Sequence, residues 1–330
     1  MDEPASDRDR TSELADAVSW EPESTLDHLS VWLYRSIASG IRFILILASI
    51  GILATLLIVT GLGAVTDPLV FSLVVLSAVP ALGLAIFIKM ADVGVNEPLT
   101  VLTGTFLLGM LFAGFAGILN SVGFLVLSVI PLFTTVLFYY LVVGPVEEGI
   151  KLLAVRLYAY RHRRFDAVID GAIYGAAAGL GFATIENALY ITASLELVGP
   201  TRTVIETIGE TTVVRALAGP GHVIYSAIAG FYLGMAKFNP RFAGPLVIKG
   251  LTVAALIHAT YNLLVQIIPG FVTAVTGVGF FTALVVFIIV YDGLAAYYLY
   301  RKLMGYRRAY RSTRGSGGNR GKPELIEFDA

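Results

Sequence analysis

The sequence predicts an all-α, polytopic transmembrane bundle of about eight spans. Two observations on its 330 residues predict this: 56% are apolar and only 14% charged, against about 25% charged in an ordinary soluble domain. The third is placement. Residues 1–30 hold nine acids (Asp2, Glu3, Asp7, Asp9, Glu13, Asp16, Glu21, Glu23 and Asp27) beside Arg8 and Arg10, and residues 301–322 hold eight bases and no acid. Between these tails run apolar stretches long enough to cross roughly 30 Å of hydrocarbon at about 1.5 Å per residue.

Taken in order, residues 1–30 read as a polar tail, with Trp32, Leu33 and Tyr34 lying along the interface before the first span. Spans are expected near 43–65, 69–89, 99–119, 138–160, 170–192, 213–236, 248–268 and 275–300. Residues 122–137 are apolar too, so 122–160 is too long for one crossing. Pro131 and the pair Gly144-Pro145 interrupt it, which predicts an outer elbow followed by a kinked span. Asp166 and Asp170 follow the basic run 161–164 and suit a helix cap.

Lys and Arg sort sharply between the two sides. With the N-terminus inside, eighteen bases flank inner ends, from Arg35 and Arg42 to the C-terminal run, and only Arg202 and Arg215 flank outer ones. That bias predicts both termini in the cytoplasm and an even span count. The net charge of −1 is a cancellation between tails, and the basic tail reads as a membrane flank rather than a nucleic-acid surface. With no cysteine, thiol catalysis and disulfides are excluded. The acidic N-terminus lacks the pattern of a signal peptide.

Ionisable groups deep in a span cost about 2.5–3.5 kcal/mol each for the strongly charged types, so they need a reason to be there. Four spans carry them: Glu147, Glu148 and Lys151; Glu186 with Asn187; His222; and His258 with Asn262. Helical rise from the basic flanks puts Glu148, Glu186, His222 and Asn262 all at roughly 20–24 Å from the inner side. Facing agrees. His222, Ser226, Gly230 and Gly234 share one stripe, and Gly175, Gly179, Phe182 and Glu186 another, with the small residues marking close helix packing. Taken singly, each of these residues is as well explained by an interhelical hydrogen bond; taken together, they predict one polar chamber inside the bundle.

Two imidazoles and several carboxylates in such a chamber can bind a divalent metal or activate water. Two histidines and one glutamate around zinc, with a fourth position open, form a catalytic arrangement. Peptide hydrolysis needs an activated water, an oxyanion donor and a proton donor. Either Glu147 or Glu148 suits the first duty; Glu186, His222 and His258 suit metal ligation or polarisation; Asn262 suits the oxyanion, with Lys151 and Asn187 supporting. The same residues would also suit an ion- or proton-coupled transporter, and a non-catalytic scaffold for a partner helix is the third reading. Arg215, seven residues before His222, sits near an outer end where it can snorkel. Asp292, in the last span, reads as a packing or pairing residue, with Lys151 a candidate partner.

The run PVEEGIKLLAV resembles an EExxK motif and FATIE an FxxxE motif; His222 follows in its own span, and His258 lies within an HxxxN. Together with FDAVIDGAIYGAAAGLGF, residues 138–265 resemble the PrsW-type intramembrane protease family, a relative of the CAAX prenyl endopeptidase and bacteriocin-processing superfamily. The resemblance implies a cell-membrane endopeptidase, described as a metalloprotease with Zn2+ its implied cofactor, acting on a membrane-anchored protein substrate. It places Glu147, Glu148, Glu186, His222 and His258 in the site. In the wider superfamily a histidine stands where this chain has Glu186, and a glutamate-activated water without metal is the alternative mechanism. The expected organisation is an acidic cytoplasmic tail (1–38), N-terminal transmembrane helices (39–121), a catalytic transmembrane core (122–270), a last transmembrane helix (271–304) and a basic cytoplasmic tail (305–330).

Overall fold

The computed structural model describes residues 24–59, 66–92, 97–130, 133–197 and 203–315. The acidic segment 1–23, Pro131, Arg202 and the last bases, Arg320 and Lys322, lie outside them. Among the described residues there is no strand, and the long elements are helices. They are α1 (Thr25–Val59), α2 (Pro68–Lys89), α3 (Leu99–Leu127), a short α4 (Thr134–Leu137), α5 (Gly144–Leu157), α6 (Val168–Ser194), α7 (Val204–Phe238), α8 (Ala243–Thr276) and α9 (Phe280–Gly315). Six of them are long and apolar enough to cross a membrane: α1, α2, α3, α6, α8 and α9. This is a multi-pass membrane protein. The two remaining long segments carry the polar load: α7 contains Glu206, Glu210, Arg215, His222 and Lys237, and α5 opens on Glu147 and Glu148.

The chain divides into two compact units, Met1–Ala48 and Ser49–Ala330. The described part of the first is the N-terminal stretch of α1. Ser24 and Asp27 start that helix with reciprocal side-chain bonds to each other's amides, 3.1 and 2.9 Å. The helix therefore begins well before the apolar span expected near 43.

In the second unit α2, α6 and α7 start where the sequence supplies a cap. Asp67 accepts the amides of Leu69 and Val70, with Pro68 at the first helical position. Asp170 reaches back from the first turn of α6 to accept the amides of Asp166 and Ala167, both at 2.8 Å. Thr203 and Glu206 form a capping box on α7. Helix α3 continues to Leu127 rather than ending near 119. The kink expected at Gly144-Pro145 takes the form of a π-helical turn, Phe138–Val143, running into α5. Proline lacks the amide that would continue the ladder, and the wider turn absorbs the mismatch.

The centre of the unit is the pair α6 and α7. Helix α6 is buried along nearly all its length. Its glycine stripe meets that of α7 backbone to backbone: a Cβ at Gly171 would strike the Gly230 carbonyl, one at Gly175 the Ser226 carbonyl, and one at Gly179 the His222 carbonyl. Close approach of this kind is what small residues at four-residue spacing permit. It carries His222 directly against the α6 backbone, and it fixes the depth of the site.

Candidate active site

Glu147, Glu148 and Lys151 leave the first two turns of α5 and are all buried. Glu186 and Asn187 come from α6, His222 from α7 and His258 from α8. The two imidazole rings lie 5.1 Å apart, edge to face. Each has one nitrogen tied to a carboxylate and the other turned inward. His222 Nε2 is 2.7 Å from Glu186 Oε2, and His258 Nδ1 is 2.9 Å from Glu148 Oε1. The inward nitrogens, His222 Nδ1 and His258 Nε2, stand 4.0 and 3.7 Å from Glu147 Oε2.

Lys151 completes the centre. Its ammonium donates to Glu148 Oε1 at 2.7 Å, lies 2.9 Å from His222 Nδ1 and 3.6 Å from Glu147 Oε2, and sits 4.2 Å above the Phe182 ring. Two hydrogen bonds and a second carboxylate at ion-pair distance thus offset the cost of burying its charge. With Lys151 donating to Nδ1, the proton of a neutral His222 belongs on Nε2, where Glu186 accepts it. The other oxygen of Glu148 accepts a bond from Ser226 at 3.2 Å. Glu148 is therefore fully engaged, whereas Glu147 accepts only from Asn120, at Oε1, and its buried Oε2 has no hydrogen-bond partner.

Two of these neighbours were not assigned to the site from the sequence. Asn120, on α3, lies in an apolar run with no motif around it. Arg215 is not at a free outer end: its Nη2 donates to Glu186 Oε2 at 2.6 Å, its Nε to Asn187 Oδ1 at 2.8 Å, and its guanidinium lies over the Tyr190 ring. Asn187 in turn donates to Ser77 of α2. The one sequence signal for Arg215 was its seven-residue spacing from His222, two turns along the same face. Asp292 pairs with Tyr225, whose hydroxyl donates to it at 2.6 Å, rather than with Lys151. The Tyr225 ring lies beside that of His258 at 5.3 Å. Asn262 stands one turn beyond His258; its backbone carbonyl accepts from Gln266, and among the described residues no hydrogen bond joins its side chain to the cluster.

The donor set suits a metal ion. Glu147, His222 and His258 each offer one ligand atom, all within 4.8 Å of one another. The unpartnered Oε2 is an acceptor without a donor, and both imidazoles are oriented through their far nitrogens, as metal-ligating histidines are. An ion there would take the His222 Nδ1 lone pair over from Lys151. Glu186, read from sequence among the ligands, stands on the far side of His222 from this set.

A helical membrane bundle with imidazoles and carboxylates gathered on its inner helices defines the class: an intramembrane hydrolase. The model of the PrsW family intramembrane metalloproteases matches residues 97–291, and the chain belongs to that family. Three curated relatives, all called Protease PrsW, support this. The Halalkalibacterium halodurans protein is 30% identical over 195 residues, 58% of this chain and 82% of that one. The Shouchella clausii protein is 32% identical over 128 residues, 38% of this chain and 54% of that one. The Bacillus subtilis protein is 34% identical over 137 residues, 39% of this chain and 54% of its own length. The latter two alignments thus span about half of each relative. No solved structure matches significantly.

Proposed function

We propose that this chain is a multi-pass endopeptidase of the cell membrane, with eight spans and both termini cytoplasmic, that hydrolyses a peptide bond of a membrane-anchored protein. Residues 122–270 form its catalytic core; 39–121 and 271–304 supply its other transmembrane helices, and 1–38 and 305–330 are its cytoplasmic tails. One observation carries the reading: Glu147 Oε2 has no hydrogen-bond partner among the described residues, only the Lys151 ammonium at 3.6 Å, yet two imidazoles, each anchored by its own carboxylate, are turned toward it. A group that merely held helices together would have its hydrogen bonds satisfied.

In the reading we favour, Glu147, His222 and His258 hold Zn2+, which when bound supplies Lewis acidity to the attacking water and the scissile carbonyl. The remaining residues position these three. Glu148 holds His258, Glu186 holds His222, Arg215 and Asn187 hold Glu186, and Asn120 orients Glu147 through Oε1. Lys151 balances the paired glutamates. Asn262, whose amide is uncommitted, donates to the carbonyl oxygen as it gains charge. The second reading needs no metal. Glu147 Oε2 takes a proton from water, the hydroxyl oxygen bonds to the carbonyl carbon, the carbon–nitrogen bond breaks, and the proton passes to the departing amine.

Membrane proteomes of cells producing wild type or Glu147→Gln test both. A protein whose shortened form is present only with wild type is the expected result. Identical fragment profiles from equal amounts of the two folded proteins would refute the protease assignment at this site. Metal content of the active enzyme separates the two readings.

A further inference from the structure

We propose that Asp92, Glu97 and Asp170 form a second cation site, built for a hard divalent ion such as Ca2+ or Mg2+ and separate from the cluster around Glu147. The three carboxylates come from different places in the chain: just past the end of α2, just before α3, and the first turn of α6. Each offers an oxygen, and these oxygens lie within 4.8 Å of one another.

Three acids in proximity would carry little by themselves. The second observation is Glu97, which is 3% exposed and whose carboxylate oxygens receive no donor from any other described residue. The hydroxyl of Tyr174, 0% exposed and within electrostatic reach of all three carboxylates, is also without a partner. Lys89 is the cation that bears on Glu97, but no ion pair joins them among the described residues. Asp170 commits only Oδ2 to the cap of α6, so Oδ1 is left for a ligand. A buried carboxylate without a donor or counter-charge costs several kcal/mol, and a cation removes that cost.

The chemistry differs from that of the active site. Oxygen donors alone favour hard cations, whereas the imidazole-bearing set favours zinc. An ion held here would tie together the ends of α2, α3 and α6, the helix whose backbone sets the position of His222.

The full chain in lipid nanodiscs, stripped with EDTA, provides the test. Tb3+ serves as a luminescent probe sensitised by the nearby tyrosine, with Ca2+ and Mg2+ as competitors. One ion per chain is expected, displaced by Ca2+ or Mg2+. Glu97→Gln and, as a second variant, Asp92→Asn should each weaken binding about tenfold or more. Tyr174→Phe should dim the luminescence, and Glu147→Gln should leave binding unchanged, so the result stands apart from the protease assignment. No binding by wild type, unchanged affinity in either folded carboxylate variant, full luminescence in Tyr174→Phe, or loss of binding in Glu147→Gln would overturn the proposal.

Discussion

Glu148 and His258 meet through Oε1 and Nδ1 at 2.9 Å, and this contact leaves the opposite nitrogen of His258 facing Glu147 at 3.7 Å. Adjacent glutamates on α5 therefore hold different positions. Glu148 is satisfied by Lys151, His258 and Ser226; Glu147 retains an open oxygen. Glu148→Gln should then act mainly on stability, because Lys151 loses its closest counter-charge in a buried site. Breaking a buried pair costs about 3–5 kcal/mol, so thermal unfolding in detergent should show a clearly lower midpoint. A midpoint equal to wild type would contradict the structural role.

Arg215 reaches the cluster only through Glu186. Arg215→Met should lower cleavage by about tenfold, the low end of the cost of losing a partner that orients a metal-binding histidine, because Arg215 acts through that partner, Glu186. The loss should fall on kcat, with Arg215→Lys restoring part of it. Unchanged kcat in a folded Arg215→Met protein would place the arginine outside the working network.

Gly179→Ala tests the contact between α6 and α7. Its added methyl meets the His222 carbonyl, so the helices must part or His222 must move. A loss of about 1–3 kcal/mol is expected from overpacking, accompanied by weaker cleavage. Full activity at an unchanged unfolding midpoint would contradict the backbone contact.

The acidic group at the ends of α2, α3 and α6 has a pH signature. Burial pushes the Glu97 carboxyl up to about 7; its own backbone amide and Lys89 oppose the rise, and Asp92 and Asp170 add to it. In EDTA the folded chain thus keeps a proton that the unfolded chain releases near its ordinary value of about 4.5. This stability is fully present below the unfolded value and is lost as pH rises through about 7. The unfolding midpoint without divalent ions should fall from about pH 5 to pH 8, and Glu97→Gln should flatten that slope. An equal slope in the variant would show that another group titrates.

The all-α architecture was legible in the apolar runs and the charge asymmetry. The chamber was legible because Glu148, Glu186, His222 and Asn262, measured from the flanks, fall at similar depths. Small-residue spacing marked the packing faces, 171, 175 and 179 on one stripe and 226, 230 and 234 on another, but not that the two faces meet each other. What stayed hidden depends on which helices are neighbours. Asn120 resembles any polar residue near a helix end until α3 is placed beside α5. Arg215 looked free to reach water because depth alone does not reveal that α6 offers Glu186 there. The division of labour between Glu147 and Glu148 was also closed to sequence, because Lys151 lies within a turn of both. The early start of α1 was missed because hydrophobicity marks a span and not the polar helix leading into it.

In the proposed enzyme Glu147, His222 and His258 form one metal-holding centre. Zinc content and peptide cleavage measured on the same purified preparations test it most directly. About one zinc per chain is expected in active wild type, with metal and cleavage lost together in folded Glu147→Gln, His222→Ala and His258→Ala. Undiminished cleavage in Glu147→Gln, or zinc retained in the His222→Ala/His258→Ala double variant, would contradict it.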